Sequence, residues 1–154
     1  MKRESSQQIQ LRKFKPSDLP QILKIEKDLF GVDAYNQTVI LDGFKRAGEG
    51  FIVVQQEGKI VGYITGFIEP SRDFIDNLAV KENFQRKGLG KTLLDSLLKY
   101  FSQKGFKKVQ LVVRENNLSA INFYEKNSFK KIKLLKNCYP DGGTGILMQL
   151  KTNE

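Results

Sequence analysis

The chain has 154 residues, enough for one domain with a real core and too few for two ordinary ones, and 40% hydrophobic residues with eleven Phe exclude a disordered chain. It has no histidine and one cysteine, Cys138, which excludes Ser-His-Asp and Cys-His hydrolases, an internal disulfide and nearly all zinc sites. The net charge of +9 is unevenly spread: residues 26–80 carry five Lys/Arg against nine Asp/Glu, whereas residues 81–136 carry fourteen against four.

That charge map sets an acidic half suited to a cation beside a basic half suited to a polyanion. Any general acid or base must be Asp, Glu, Tyr, Lys, Cys or a water. No apolar run approaches the ~20 residues of a membrane span, and the polar residues 1–10 lack the apolar core of a signal peptide. The expectation is one domain over residues 1–154, cytoplasmic, without a metal or a membrane partner, as a monomer or homodimer. The lysines are spread rather than clustered and no nucleic-acid-binding motif is present, so nucleic acid is not expected as a ligand.

Residues 9–14 alternate as a short strand. Pro16-Ser17-Asp18 then starts a helix whose apolar stripe runs through Leu19, Ile22, Leu23, Ile25, Leu29 and Phe30 and includes Glu26; Gly31 ends it. A second helix over residues 37–47 turns Val39, Ile40 and Phe44 inward and stops at Gly48 and Gly50. Residues 51–56 and 59–68 read as strands joined by the tight turn Glu57-Gly58. After Pro70-Ser71, residues 74–80 form a third long strand.

The run Gln85-Arg86-Lys87-Gly88-Leu89-Gly90 follows and opens a strongly amphipathic helix, with Leu89, Leu93, Leu97 and Phe101 on one stripe and Lys91, Asp95, Lys99 and Gln103 opposite. Two glycines in a helix's first turn, beside basic residues, suit a phosphate. Free N–H groups point off a helix N-terminus, its dipole favours an anion, and glycine keeps side chains out of the way. Residues 109–113 form a buried strand. Asn116-Asn117 caps a short helix from Leu118 to about Lys126, with Ala120, Ile121, Phe123 and Tyr124 on its apolar side. Residues 129–135 and 145–150 make two final strands around the loop Pro140-Asp141-Gly142-Gly143. Seven strands and four helices in mixed order predict an α+β fold on a largely antiparallel sheet.

The residues Leu78-Ala79-Val80, the glycine run Gln85 to Gly90, and Asn117-Leu118-Ser119-Ala120-Ile121-Asn122-Phe123-Tyr124 with Phe129 together resemble the GNAT superfamily of acetyl-CoA-dependent N-acetyltransferases. The tail Asn137-Cys138-Tyr139-Pro140-Asp141-Gly142 brings the chain closest to the ribosomal-protein N-terminal (alanine) acetyltransferase branch. The resemblance implies a V-shaped opening between the strand ending near Val80 and the strand at residues 109–113, with acetyl-CoA as cosubstrate inside it. It implies that the backbone of Leu78, Ala79 and Val80 pairs with the pantetheine arm. Gln85, Arg86, Lys87, Gly88, Leu89, Gly90 and Lys91 would hold the pyrophosphate, and Asn117 would contact the pantetheine or adenosine side. Tyr124 would be the general acid at the sulfur, and Glu26, Phe30, Tyr35 and Tyr139 would line the acceptor groove. A phenol at about 10 can hydrogen-bond to a thiolate whose acid lies at about 8.5.

The chain departs from that branch in three places. Val112 stands where the branch has a glutamate base, Gly143-Thr144 replaces Glu-Asp, and Cys138 replaces one of two tail tyrosines. Asp76 and Glu69 are the replacement bases the sequence offers. A peptide α-amine, at about 7.7–8.0, is roughly a tenth neutral at pH 7, whereas a lysine amine at about 10.4 is not. A missing base therefore favours an α-amine or another weakly basic amine, deprotonated through water; with the resemblance this points to a protein N-terminus as acceptor, with a small-molecule amine or lysine as the alternative. A CoA-binding protein without catalysis and a basic nucleic-acid-binding module are more remote readings.

Overall fold

The seven strands form one sheet in the order β1-β2-β3-β4-β5-β7-β6, and only the β4–β5 neighbours run parallel. They are β1 (Ile9–Lys13), β2 (Phe51–Gln56), β3 (Lys59–Ile68), β4 (Asp73–Val80), β5 (Lys108–Arg114), β6 (Lys130–Leu135) and β7 (Gly145–Lys151). Among the described residues four α-helices join them, with short 3-10 turns between elements: α1 (Leu19–Phe30), α2 (Gln37–Ala47), α3 (Leu89–Gln103) and α4 (Leu118–Lys126). The structure, a computed structural model, describes residues 8–106 and 108–151. Among these residues no helix is long and apolar enough to cross a membrane.

The helices divide between the two faces of the sheet because each carries one apolar stripe that must be covered. On one face Leu93, Leu94, Leu97 and Phe101 of α3 are fully buried and pack with Ile121 and Tyr124 of α4 against Ile64, Ile75 and Leu111. Each such side chain contributes about 1.5–3 kcal/mol on burial. Gly66 lets α3 approach, because a Cβ there would lie 2.7 Å from Leu97 Cδ2 and from Phe101 Cζ. On the other face Ile22 and Ile25 of α1 and Ile40 and Ala47 of α2 cover Phe51, Tyr63 and Phe67. Strand β3 lies between the two layers and is buried from Ile60 to Phe67, which its near-continuous apolar run requires.

The inward stripe of α2 differs from the sequence expectation at one residue. Ile40, Phe44 and Ala47 face the sheet, but Val39 is 42% exposed. One residue turns a helix by about 100°, so Val39 falls off the stripe that Ile40 starts, and its N–H is taken by the capping side chain of Asn36 at 3.0 Å. The β2–β3 hairpin turns through Glu57 (φ 53°) and Gly58 (φ 78°). Two consecutive left-handed residues match the twist of the strands they join.

Candidate active site

Among the described residues strands β4 and β5 pair at two positions, Asp73 with Val109 and Phe74 with Gln110, and then part. Lys81 donates its N–H to Val61 across the β3 ladder at 2.9 Å. By alternation along the strand, Leu78 and Val80 turn their backbone groups away from β3 and toward the opening. The Leu78 N–H donates to Asn77 Oδ1 at 3.0 Å, and the Val80 carbonyl accepts from Gln85 Nε2 at 2.8 Å.

The glycine run turns sharply onto α3. Arg86 (φ 62°) and Gly88 (φ 84°) are both left-handed; the arginine is held there at a cost of order 1–3 kcal/mol, strain that concentrates at functional sites. Gly88 is the N-cap of α3 and no side chain caps the helix. The Thr92 N–H and Oγ1 both bond the Gly88 carbonyl at 3.0 Å. The N–H groups of Leu89, Gly90 and Lys91 precede that first helical bond, an arrangement that suits an anion beside Arg86.

A cleft of about 680 Å³ joins these pieces. Leu78, Ala79, Val80, Gln85, Arg86, Gly88, Gly90, Lys91, Asn117, Tyr124 and Phe30 all line it. Lys87 and Leu89 are not among the lining residues: the Lys87 ammonium lies 5.7 Å from the Phe84 ring, and Leu89 is 7% exposed in the core. The sequence reading missed Leu29, Ser119, Ala120, Asn122, Phe123 and Lys126, which also line the cleft. The helical spacing of α4 marked Phe123 as core; its ring edge also faces Gly90. Asn117 accepts the Ala120 N–H at 3.2 Å, so its oxygen caps α4 while the residue lines the cleft.

Tyr124 is 6% exposed and packs edge-on against Phe123 and Phe129, with ring centroids 5.1 and 5.3 Å away. Burial pushes its phenol well above the ordinary range, which keeps it a protonated hydrogen-bond donor at neutral pH.

A second group of predicted residues gathers on the α1–α2 face. A β-bulge produces it: Thr65 pairs with Asn77 and Gly66 with Ile75, so Asp76 is skipped. Ile75 and Leu78 face the α3 side, and both Asp76 and Asn77 are turned to the other face, as a bulge allows. The Glu26 carboxylate, 1% exposed, accepts from the Tyr35 N–H at 2.9 Å and from Asn77 Nδ2 at 2.7 Å; Asn77 Nδ2 also meets Tyr63 Oη at 2.9 Å. Burial raises the Glu26 carboxyl, and nearby Asp76 adds to this, against the Tyr35 and Asn77 hydrogen bonds. Burial also raises Asp76, with Arg46 opposing. The Tyr35 phenol is pushed up to about 12 by burial and by Asp76, Glu26 and Tyr139. Glu26, Tyr35, Asp76 and Tyr139 therefore share one electrostatic neighbourhood. Glu69 is committed elsewhere, since Arg46 and Arg72 hold its two oxygens at 3.1 Å each.

Val112 and Gly143 both lie against the tail loop. A Cβ on Gly145 would lie 2.8 Å from Val112 Cγ1, 3.1 Å from Cys138 Sγ and 3.4 Å from Tyr139 Cε2, so glycine there lets half-buried Val112 and the tail loop approach. A Cβ on Gly143 would lie 2.7 Å from Arg114 Nη1. Glycine at 143 makes room for Arg114, which no sequence motif had marked.

A parallel strand pair that parts beside an uncapped, glycine-led helix is the architecture of an acetyl-CoA-type N-acetyltransferase fold. The model of the acetyltransferase (GNAT) family matches residues 18–129, and the chain belongs to that family. The N-alpha-acetyltransferase of Sulfolobus acidocaldarius is 34% identical over 160 residues, covering 96% of this chain and 94% of that protein. The crystal structure of the Escherichia coli ribosomal-protein-S18-alanine N-acetyltransferase has a TM-score of 0.83 and 26% identity, covering 96% of each chain. Arabidopsis thaliana Naa50, in complex with the bisubstrate analogue CoA-Ac-MVNAL, has a TM-score of 0.83 and 25% identity, covering 94% of this chain and 99% of that one.

Proposed function

We propose that this chain transfers an acetyl group from acetyl-CoA directly to the α-amine of a protein N-terminus. The observation that carries the reading is the parting of β4 and β5: the basic anion site and Tyr124 lie in the opening, and the acidic group of Glu26 and Asp76 gathers on the α1–α2 face. Likeness to proteins named for N-terminal acetylation over nearly the whole chain supports it.

In this reading the N–H groups of residues 88–91 and Arg86 hold the pyrophosphate, and Leu78 and Val80 pair with the pantetheine arm as an added strand would. Phe30, Tyr35 and Tyr139 line the path of the acceptor. The neutral amine attacks the thioester carbonyl and forms the C–N bond. The C–S bond breaks as Tyr124 donates to the leaving sulfur. The proton lost by the nitrogen passes through water to Asp76, which among the two carboxylates proposed as base is the one not held by arginines. An α-amine needs little help to become neutral, which fits a site with Val112 in place of a glutamate.

Thiol release from acetyl-CoA tests this with peptides of free or blocked N-terminus, lysine peptides and small amines. Turnover confined to free N-termini is the expected result. Turnover with small amines alone, or with blocked lysine peptides, overturns the assignment of the acceptor; CoA binding without turnover on any acceptor overturns catalysis.

A further inference from the structure

Asn77 touches both halves of the site. Its Oδ1 accepts the Leu78 N–H at 3.0 Å, on the side of β4 that opens to the cleft. Its Nδ2 donates to Glu26 Oε2 at 2.7 Å and to Tyr63 Oη at 2.9 Å. The other Glu26 oxygen holds the Tyr35 N–H, at the connection between α1 and α2. The amide has one orientation that satisfies these partners, because a carboxylate only accepts and a backbone N–H only donates. Glu26 is 1% exposed and Tyr63 fully buried, so solvent does not stand in for a lost partner.

We propose that Asn77 is a positioning residue that couples acetyl-CoA binding to the acceptor wall. The proposal rests on acetyl-CoA as cosubstrate. A carbonyl of the pantetheine arm that takes the Leu78 N–H displaces Asn77 Oδ1. Loss of that bond frees the amide to turn, and its Nδ2 then leaves Glu26 and Tyr63. Glu26 is then held by Tyr35 alone, with one carboxylate oxygen released toward the face from which a cationic amine approaches. Two discrete hydrogen-bond arrangements, each favoured by one state of the cosubstrate site, are what coupling requires. The acceptor should then bind about fivefold or more tightly to the CoA complex than to the free protein.

The test is a ¹⁵N NMR titration of the full chain with CoA, which carries the pantetheine arm and transfers nothing. The expected result is movement of the amides of residues 88–91, of Leu78 and of Tyr35, together with the Asn77 side-chain amide. In Asn77→Ala the residue 88–91 signals still move and the Tyr35 shift falls to less than about a third. Affinity for a free-N-terminus peptide, measured with and without saturating CoA, differs about fivefold or more in the wild type and less than twofold in the variant. A Tyr35 amide that stays still while Leu78 moves overturns the coupling, and this wild-type readout stands even if Asn77→Ala does not fold. A Tyr35 shift of equal size in the variant overturns the route through Asn77. If neither residues 88–91 nor Leu78 respond, acetyl-CoA itself is wrong and the coupling falls with it.

Discussion

Arg114 lays its guanidinium over the ring of Tyr139, 4.0 Å from the ring centroid. The same group donates to both oxygens of Asp141 at 3.2 Å and lies 3.7 Å from Asp33. One side chain at the end of β5 thereby links the tail hairpin to the α1–α2 connection, the two walls of the proposed acceptor groove. The Asp33 contact is exposed and contributes little by itself; the planar stack is the part that fixes Tyr139. Arg114→Ala is expected to raise the acceptor KM about tenfold, for a loss of about 1.4 kcal/mol, with the acetyl-CoA KM within twofold. Arg114→Lys keeps the charge and loses the stack, so steady-state kinetics should place it nearer to alanine than to wild type.

Tyr124→Phe removes only the hydroxyl from a side chain already packed between Phe123 and Phe129. The core should tolerate it. The kcat should fall about 10²-fold, the lower end of what a positioned proton donor contributes, with CoA affinity measured by calorimetry unchanged within twofold. A fall of less than about fivefold would remove Tyr124 from the chemistry.

Gly88→Ala forces a Cβ into a left-handed cap at φ 84°. Nothing lies within 4 Å of that Cβ, so the cost is conformational, about 1 kcal/mol. The expected outcome is a Tm lower by about 2–4 °C and weaker CoA binding, since the cap aims the N–H groups of residues 89–91. A Tm loss with unchanged CoA affinity would show that the cap shapes only the helix.

Asp76 gives a pH signature. A base acts when ionised, so activity rises with pH through its folded pKa, and burial places that rise above the ordinary carboxylate range. Asp76→Asn should abolish the lower ascending limb of kcat/KM and leave the limb near pH 7.7–8.0 that belongs to the α-amine. An unchanged lower limb would exclude Asp76 as the base.

Asp73 is 5% exposed, its Oδ2 has no hydrogen-bond partner among the described residues, and burial raises its pKa. A carboxyl with a folded pKa above its unfolded one binds protons more tightly when folded. Its contribution is therefore most favourable below the unfolded pKa and is lost as pH rises through the folded pKa. Asp73→Asn should raise the Tm at pH 7 by about 2–4 °C, the scale of about 1 kcal/mol for an unpaired buried polar group. The gain should shrink at pH 4, where the wild-type carboxyl is closer to neutral. Thermal melts at the two pH values check this, and an equal gain at both would refute it.

Most elements and one side of the site were legible in the chain. Apolar spacing marked α1, α3 and α4, left-handed turn residues marked the β2–β3 hairpin, and the run from Gln85 to Gly90 lines the cleft apart from Lys87 and Leu89. These features are local: helix stripes, caps and turns depend on residues within about four positions. Val39 shows the limit, since spacing one residue off the stripe still read as apolar and inward.

The sequence by itself determined the glycine loop, the amphipathic helices, the absence of histidine chemistry and the placing of acidic and basic halves. Tertiary structure alone decided which polar residues meet. The bulge at Asp76 reversed the side-chain alternation of β4, which brought Asn77 to Glu26 across 51 positions of sequence. Arg114 reached Asp141 across 27 positions because Gly143 leaves it room. A one-residue slip in a strand ladder moves side chains to the opposite face at no cost to composition or periodicity, so the acceptor side becomes readable only once the strands are paired.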